Sequence, residues 1–188
     1  MSEESVKIVD LFCGMGGFHL GISQACHDHA KTSECVLASD IDKFACQTYE
    51  ANFYMKPKGD ITKIQAEDVP PHDILCGGFP CQSYSSIGKR EGFEHATKGT
   101  LFFEVCRLLK HHQTQVCFLE NVAGLLTHDK GNTFATICQT LKELGYYIHY
   151  KVIDGADFGT ASHRKRVFIV GFLDVTRAQA FTWPEPTH

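Results

Sequence analysis

The sequence VKIVDLFCGMGG spans residues 6–17 and passes from an apolar run into a glycine-rich segment. A short apolar, β-branched run is typical of a buried strand, and the glycines let the backbone turn tightly and approach a ligand. The segment then leads into a predicted helix near residues 16–29. A strand that ends in a glycine loop and continues into a helix is the local pattern of nucleotide-binding α/β proteins.

Similar apolar runs recur along the chain and alternate with helical patterns. Further strands are predicted at residues 35–38, 73–76, 116–119, 147–153 and 166–171, and further helices near residues 43–53, 99–112 and 132–145. The last two strands have no long helix between them, so they are expected to form an antiparallel hairpin. Another strand is predicted to end at Gly59-Asp60-Ile61. This alternation predicts an α/β fold with a mixed, mostly parallel, seven-stranded sheet and helices on both faces.

The length and composition fit one globular domain that covers residues 1–188. A net charge of −4 provides no overall basic field for holding a nucleic acid. Nine cysteines are scattered without a paired spacing, which predicts reduced thiols in a cytoplasm and no metal site. No apolar run is long enough to span a bilayer, and none resembles a signal peptide.

Two acidic residues follow predicted strands and complement the glycine loop. Asp40 follows the second strand, and Asp60 follows the strand expected near residue 59. Because carboxylates at these positions can bind ribose hydroxyls, the pattern predicts a nucleoside cleft at the carboxyl edge of the sheet. A dinucleotide is the rival ligand, but the G-x-G-G spacing of residues 14–17 lacks the third glycine of that fingerprint.

Reactive side chains are predicted near the same edge. Cys81 follows Pro80 and precedes polar residues, a setting that suits a reactive thiol, whereas a buried structural role is expected for the other cysteines. Glu120 directly follows an apolar run, so its carboxylate is either catalytic or simply solvated. Arg164 and Arg166 are two apart at the final strand and are predicted to point the same way. They would hold a phosphate or a base carbonyl, or form a charged surface.

Together these motifs resemble the cytosine-C5 DNA methyltransferases, especially those of bacterial restriction–modification systems. The resemblance covers residues 8–171 and includes GFPCQ at residues 78–82, ENV at residues 120–122 and the paired arginines. It implies a Rossmann-like fold and an enzyme that uses S-adenosylmethionine as its cofactor. It also implies methyl transfer to carbon 5 of a cytosine that is flipped out of double-stranded DNA.

The resemblance also implies roles for individual residues. Cys81 would be the nucleophile that adds to carbon 6, Glu120 would contact N3 and the exocyclic amine, and Arg164 and Arg166 would hold O2. The implied cofactor-binding residues are Phe12, Gly14, Met15, Gly17, Asp40, Ile41, Asp60, Ile61, Pro80 and Leu101. The loop at residues 83–99 would close over the base. The implied DNA contacts of that loop are Ser85, Lys89 and Arg90.

The chain departs from the family pattern in two places. Ala161-Ser162 replaces the Pro-Gln pair that the family usually carries before Arg164. Family members continue past Gly171 into a target-recognition domain and then a helix that returns to pack under the cofactor loop, and both are expected to be absent from this chain. The chain is therefore expected to be a subunit or fragment that needs a second polypeptide. An RNA substrate, or a non-catalytic module that binds a cofactor or partner, is the alternative.

Overall fold

Strands and helices alternate along the part of the chain that the structure describes. The computed structural model describes residues 5–80 and 101–188. The strands are β1 (Val6–Leu11), β2 (Ser33–Ser39), β3 (Ile74–Gly78), β4 (Val116–Val122), β5 (Tyr147–Asp154) and β6 (Lys165–Phe172). The helices are α1 (Gly17–Asp28), α2 (Lys43–Phe53), α3 (Leu101–His112), α4 (Asn132–Glu143) and α5 (Val175–Ala180), of which only α5 is not predicted from the sequence. None of these helices has the length and hydropathy needed to cross a bilayer.

The strands form one sheet in the order β2-β1-β3-β4-β6-β5. Strand β1 pairs in parallel with β2 and β3, and β3 pairs in parallel with β4. Strand β6 runs antiparallel to both β4 and β5. The mixed, mostly parallel sheet and the antiparallel hairpin of the last two strands are thus confirmed. The hairpin joins the sheet through its second strand, because β6 lies between β4 and β5.

The prediction of a seventh strand ending near Gly59 is wrong for the described residues, whose sheet has six strands. Beside β2, the backbone N–H of Lys58 donates one hydrogen bond to Ala38, and residues Ile61–Lys63 then form a short 3₁₀-helix. Pro57 has no N–H to donate, and Gly59 has a φ of 84°, which turns the chain away. These two residues prevent the segment from continuing as a strand.

The strand register brings the ends of several strands together at one edge of the sheet. The end of β1, Leu11, lies opposite Ser39 of β2, and Gly78 at the end of β3 lies opposite Glu120 of β4. Because β6 is antiparallel, it begins at this edge, with Arg166 opposite the last residue of β4. Four features that are far apart in sequence therefore converge at this edge: the glycine loop, the segment leading to residue 81, Glu120 and Arg166.

The main core lies between one face of the sheet and the helices α3 and α4. Alternate strand residues, including Leu75 and Leu119, are buried against Leu108 of α3 and Ile137 of α4. Removing such an aliphatic side chain from water stabilises the fold by about 1.5–3 kcal/mol. The 3–4 spacing of apolar residues in the two helices fixes which sides they bury.

The opposite face of the sheet is covered incompletely by α1 and α2. The ring of Phe18 in α1 packs edge-on against that of Phe118 in β4, with centroids 4.9 Å apart, and Tyr49 of α2 is buried. No residue of α1 itself is fully buried. An apolar groove of about 1040 Å³ remains between α1 and the sheet. It is lined by Val6, Gly17, Phe18, Gly21, Ile22, Ala25, Cys26, His29, Lys31, Ile74, Phe118, Glu120 and Phe168.

Candidate active site

The glycine loop leaves β1 through a series of left-handed backbone conformations. Phe12, Gly14 and Gly16 have φ values of 54°, 53° and 94°. A side chain at Gly16 would displace the ring of Phe53, because a Cβ atom there would lie 2.1 Å from it, and the positive φ would be strained as well. The backbone N–H of Cys13 donates to Ser39, which ties the loop to the end of β2. The loop therefore has a defined shape before any ligand binds.

Asp40 joins the glycine loop to the start of α2. Its Oδ2 accepts a hydrogen bond of 2.8 Å from the backbone N–H of Gly14, and its Oδ1 accepts one of 2.8 Å from the N–H of Asp42. Asp42 in turn accepts from the N–H of Ala45 and caps α2. Each carboxylate oxygen of Asp40 has a second lone pair, so the group can still accept hydrogen bonds from the hydroxyls of a ligand.

The other residues predicted to bind the cofactor differ in exposure. Met15 and Ile41, which follow β1 and β2, are 68% and 77% exposed. Asp60 accepts hydrogen bonds from the N–H and hydroxyl of Thr62 and is half-buried. The remaining predicted residues fall into three groups. Phe12, Gly14 and Leu101 are half-buried, Ile61 is buried in the main core, and Gly17 and Pro80 are exposed.

The segment that leads to the predicted nucleophile is held firmly. Strand β3 ends at Gly78, and the buried ring of Phe79 packs against Phe102 of α3. The carbonyl of Phe79 accepts a 2.7 Å hydrogen bond from the side chain of Asn121, whose own Oδ1 accepts from the backbone N–H of Val122. Cys81, Ser85, Lys89 and Arg90 lie outside the described residues.

Glu120 and Arg166 form an ion pair at the carboxyl edge of the sheet. Arg166 Nε lies 2.7 Å from Glu120 Oε1, and the two side chains are 21% and 23% exposed. Gly78 makes room for the carboxylate, because a Cβ atom there would lie 3.0 Å from Glu120 Oε2. A charge-assisted hydrogen bond of this length fixes both groups, while the exposed fraction leaves them accessible to a ligand.

Arg164 lies outside the pair. Strand β6 begins at Lys165, so the alternation rule that predicted a shared direction for Arg164 and Arg166 does not extend to Arg164. Its backbone N–H donates a 2.8 Å hydrogen bond to Asp154, and its side chain is exposed. The structure thus brings Glu120 and Arg166 together and leaves Arg164 at the surface beside them.

Sequence reasoning missed two buried polar residues that shape this edge, Asn121 and Asp154. Asn121 has one hydrogen bond to a group distant in sequence, the carbonyl of Phe79, and Asp154 has two, with His163 and Arg164. The available signal was a polar residue within or at the end of an apolar strand, because such a residue is buried only when it has partners. In the described part of the chain, no cluster of three or more His, Cys, Asp or Glu side chains is arranged to hold a metal ion.

A family model for C-5 cytosine-specific DNA methylases matches residues 6–188. The chain belongs to this family. The type II methyltransferase M.MspI of a Moraxella species is 47% identical over 180 residues, which are 96% of this chain and 41% of that protein. M.HhaI of Haemophilus parahaemolyticus is 41% identical over 181 residues, which are 96% of this chain and 53% of that protein. The chain thus spans about half the length of these DNA methylases.

Solved structures of similar fold support the same architecture. A putative DNA modification methyltransferase from an Escherichia coli prophage superposes with a TM-score of 0.70 at 23% identity, covering 96% of this chain and 49% of that one. A DNMT2 mutant of Spodoptera frugiperda gives a TM-score of 0.72 at 19% identity, covering 98% and 54%. At these identities the likeness shows the Rossmann-like methyltransferase fold.

DNA methylases of this family depend on S-adenosylmethionine, and the described residues fit that cofactor. The backbone of the glycine loop borders open space that a ligand could occupy, because a Cβ atom at Gly14 or Gly17 would contact nothing within 4 Å. Asp40 offers acceptor lone pairs for hydroxyls, and the exposed side chains of Met15 and Ile41 offer apolar surface. A nucleoside with a polar ribose and a flat base requires this combination.

Proposed function

We propose that residues 1–188 form the catalytic and cofactor-binding domain of a DNA cytosine-C5 methyltransferase. The observation that carries the proposal is the 2.7 Å pair of Glu120 and Arg166. It lies at the edge where β3 leads to Cys81, beside the loop held by Asp40. This arrangement places an acid and a cation at the edge from which the chain continues to Cys81, and chemistry on a pyrimidine ring requires an acid, a cation and a nucleophile. Since the curated relatives are bacterial, we place the reaction in a bacterial cytoplasm.

The proposed chemistry begins with activation of the base. Carbon 5 of cytosine is a weak nucleophile, and addition of the Cys81 thiolate to carbon 6 makes it enamine-like. Glu120 contacts N3 and the exocyclic amine, and Arg166, assisted by Arg164, holds O2 and offsets the developing charge. S-adenosylmethionine, when bound, supplies an electrophilic methyl group. Loss of the C5 proton to solvent and cleavage of the bond between Cys81 and carbon 6 then release the product.

The proposed substrate is double-stranded DNA with one cytosine flipped out of the stack. A base inside a duplex cannot reach a side chain at a sheet edge, so extrusion is required. The net charge of −4 gives the chain little attraction for phosphates. We therefore infer that a target-recognition domain outside these residues supplies most of the DNA contacts, with Ser85, Lys89 and Arg90 adding local ones.

We further propose that a second polypeptide, or a continuation of this one, also covers the groove beside α1. The groove is largely apolar, and Phe118 and Phe168 lie on its floor. An apolar surface of this kind favours contact with another protein segment. Gly17 and Glu120, which belong to the glycine loop region and the candidate site, also line this groove. The covering segment would therefore close one side of the candidate site.

The deciding experiment is methyl transfer by the chain mixed with a candidate partner that carries a target-recognition domain. We expect tritium to pass from labelled S-adenosylmethionine to duplex DNA, and Cys81→Ser to abolish the transfer. Cys138→Ser in α4 is the matched control and should retain activity within about twofold, because α4 contributes no residue to the candidate site. Equal transfer by Cys81→Ser would refute this residue as the nucleophile.

The same assembly distinguishes the alternatives. DNA that contains 5-fluorocytosine should trap a covalent adduct that maps to Cys81, because fluorine cannot leave as the C5 proton does. Transfer to transfer RNA in preference to DNA would favour an RNA enzyme. Tight binding of S-adenosylhomocysteine without transfer to either nucleic acid would favour a non-catalytic module.

A further inference from the structure

A single carboxylate closes the turn that precedes β6. Asp154, the last residue of β5, is 7% exposed. Its Oδ1 accepts hydrogen bonds from the backbone N–H of Arg164 at 2.8 Å and from that of Ala156 at 3.2 Å, and its Oδ2 lies 3.0 Å from Nδ1 of His163. Asp154 therefore joins the start of this turn to its end, ten residues later.

The end of the turn leads directly to the candidate active site. Asp154 lies opposite Lys165 in the β5–β6 ladder, and the next residue, Arg166, holds Glu120 at 2.7 Å. The backbone N–H of Arg164 is thus two residues before Arg166, whose guanidinium faces the carboxylate of Glu120. A shift of the backbone at residue 164 would be transmitted to Arg166 through one peptide unit on each side of Lys165.

The carboxylate of Asp154 has more than a local capping role. Its bond to Ala156 caps the short 3₁₀-helix Gly155–Phe158, which is a common use of aspartate. The bond to Arg164 is shorter and spans ten residues. The hydrogen bond from His163, together with those from Ala156 and Arg164, holds the pKa of Asp154 below its ordinary value, so the group is ionised at neutral pH. The imidazole of His163 is 86% exposed, so solvent screens its attraction to Asp154.

We propose that Asp154 is a positioning residue: it fixes the backbone of Arg164 and thereby aims Arg166 at Glu120. This inference rests on the proposed function, since the pair of Glu120 and Arg166 acts on a base only if the chain is a cytosine methyltransferase. The hydrogen bonds of Asp154 are with Ala156, His163 and Arg164, and none is with Glu120 or Arg166. Its effect on methyl transfer is therefore indirect and acts through the orientation of one guanidinium.

The test compares three substitutions in the full chain with its partner. Asp154→Ala removes all three hydrogen bonds and should lower kcat about 10- to 100-fold, because small misplacements of a catalytic group are costly. Asp154→Asn keeps the Oδ1 acceptor for both backbone donors and should retain kcat within about threefold. His163→Ala should also remain within about threefold, because that side chain is exposed. The dissociation constant for S-adenosylhomocysteine should change less than twofold in all three.

Asp174→Ala is the matched control. Asp174 caps α5 by accepting hydrogen bonds from the N–H groups of Thr176 and Arg177. Neither of these bonds involves residues 164–166. Its substitution should lower Tm as any lost cap does, while kcat stays unchanged. A fall in kcat for Asp174→Ala equal to that for Asp154→Ala would show that loss of a cap alone explains the effect and would overturn the proposal.

A second readout separates this inference from the proposed function. The Nε–H resonance of Arg166 in a ¹⁵N–¹H spectrum reports its bond to Glu120 without any catalysis. We expect Asp154→Ala to shift or broaden this resonance and to speed hydrogen exchange at the Arg164 amide, whereas Asp154→Asn leaves both unchanged. An unchanged resonance in Asp154→Ala refutes the positioning role, even if the wild-type assembly transfers no methyl group. If Asp154→Ala folds too poorly, Asp154→Ser, which keeps only the local cap, decides by the same readouts.

Discussion

Asp10 is the least satisfied side chain among the described residues. It is fully buried at the end of β1, and its Oδ2 has no hydrogen-bond partner in the described part of the chain. Burial raises the pKa of Asp10 to about 7, against the smaller effects of hydrogen bonds from the Cys76 thiol and the His19 backbone, which lower it. The folded protein therefore holds a proton on Asp10 that the unfolded chain releases near pH 4.

This difference predicts how stability depends on pH. The folded state binds more protons than the unfolded state between about pH 4 and 7, so this group makes the free energy of unfolding fall as pH rises through that range, by at most about 1.4 kcal/mol per pH unit. Above pH 7 its contribution is constant. Asp10→Asn removes the titration and should gain stability relative to wild type from pH 5 to pH 7. Urea unfolding at intervals across this range measures the difference, and a difference that does not change with pH would contradict the prediction.

At the scale of an element, β3 depends on the absence of a side chain at its penultimate residue. Gly77 is buried between β1 and β4, and a Cβ atom there would lie 2.8 Å from the backbone oxygen of Leu11. Backbone atoms in a paired strand cannot move aside without disturbing the ladder. Strand β3 therefore lies close to β1 because residue 77 is glycine, and the same closeness sets where the chain emerges toward residue 81.

We expect Gly77→Ala to destabilise the protein by about 1–3 kcal/mol, the usual cost of overpacking a tight site. Gly124→Ala is the control, because a Cβ atom at Gly124 would meet nothing within 4 Å. It should change the free energy of unfolding by less than about 0.5 kcal/mol. Denaturant titrations of the two variants and the wild type make the comparison, and equal effects of the two substitutions would show that the contact with Leu11 is not limiting.

At the scale of the whole molecule, the two faces of the sheet are covered unequally. The face under α3 and α4 is a closed core, whereas the face under α1 has an open groove lined by Phe18, Ile22, Phe118 and Phe168. Aromatic and aliphatic side chains line this groove of about 1040 Å³, and the described residues leave part of their apolar surface unburied. Covering that surface would stabilise the protein further. The face under α1 is therefore where binding of another segment would bury the most apolar surface.

Two substitutions on α1 test this interpretation. Ile22 lines the groove, and Leu20 is exposed on the same helix but outside it. Ile22→Ser should weaken association with the covering segment at least tenfold, because burial of an isoleucine side chain contributes about 1.5–3 kcal/mol. Leu20→Ser should leave the affinity unchanged within about twofold. Fluorescence anisotropy of a labelled partner measures both, and equal affinities would exclude the groove as the docking surface.

The sequence predicted much of the fold because strands and helices depend on local patterns. Four helices were placed correctly from apolar spacing and glycine positions, and the hairpin of β5 and β6 followed from the absence of a helix between them. The prediction of an extra strand near Gly59 is wrong, because a segment forms a strand only when its backbone groups pair along a neighbouring strand. Pro57 and the left-handed Gly59 prevent this.

What the sequence determined by itself was the order of the elements, the glycine loop and the identity of the polar residues that end the strands, since each is set by a few adjacent residues. Only the tertiary structure decided that Glu120 meets Arg166, that Asn121 holds Phe79 and that Asp154 holds Arg164. These contacts join segments that are distant along the chain. Their geometry depends on strand register, which is chosen by burial of the entire sheet and not by any local pattern.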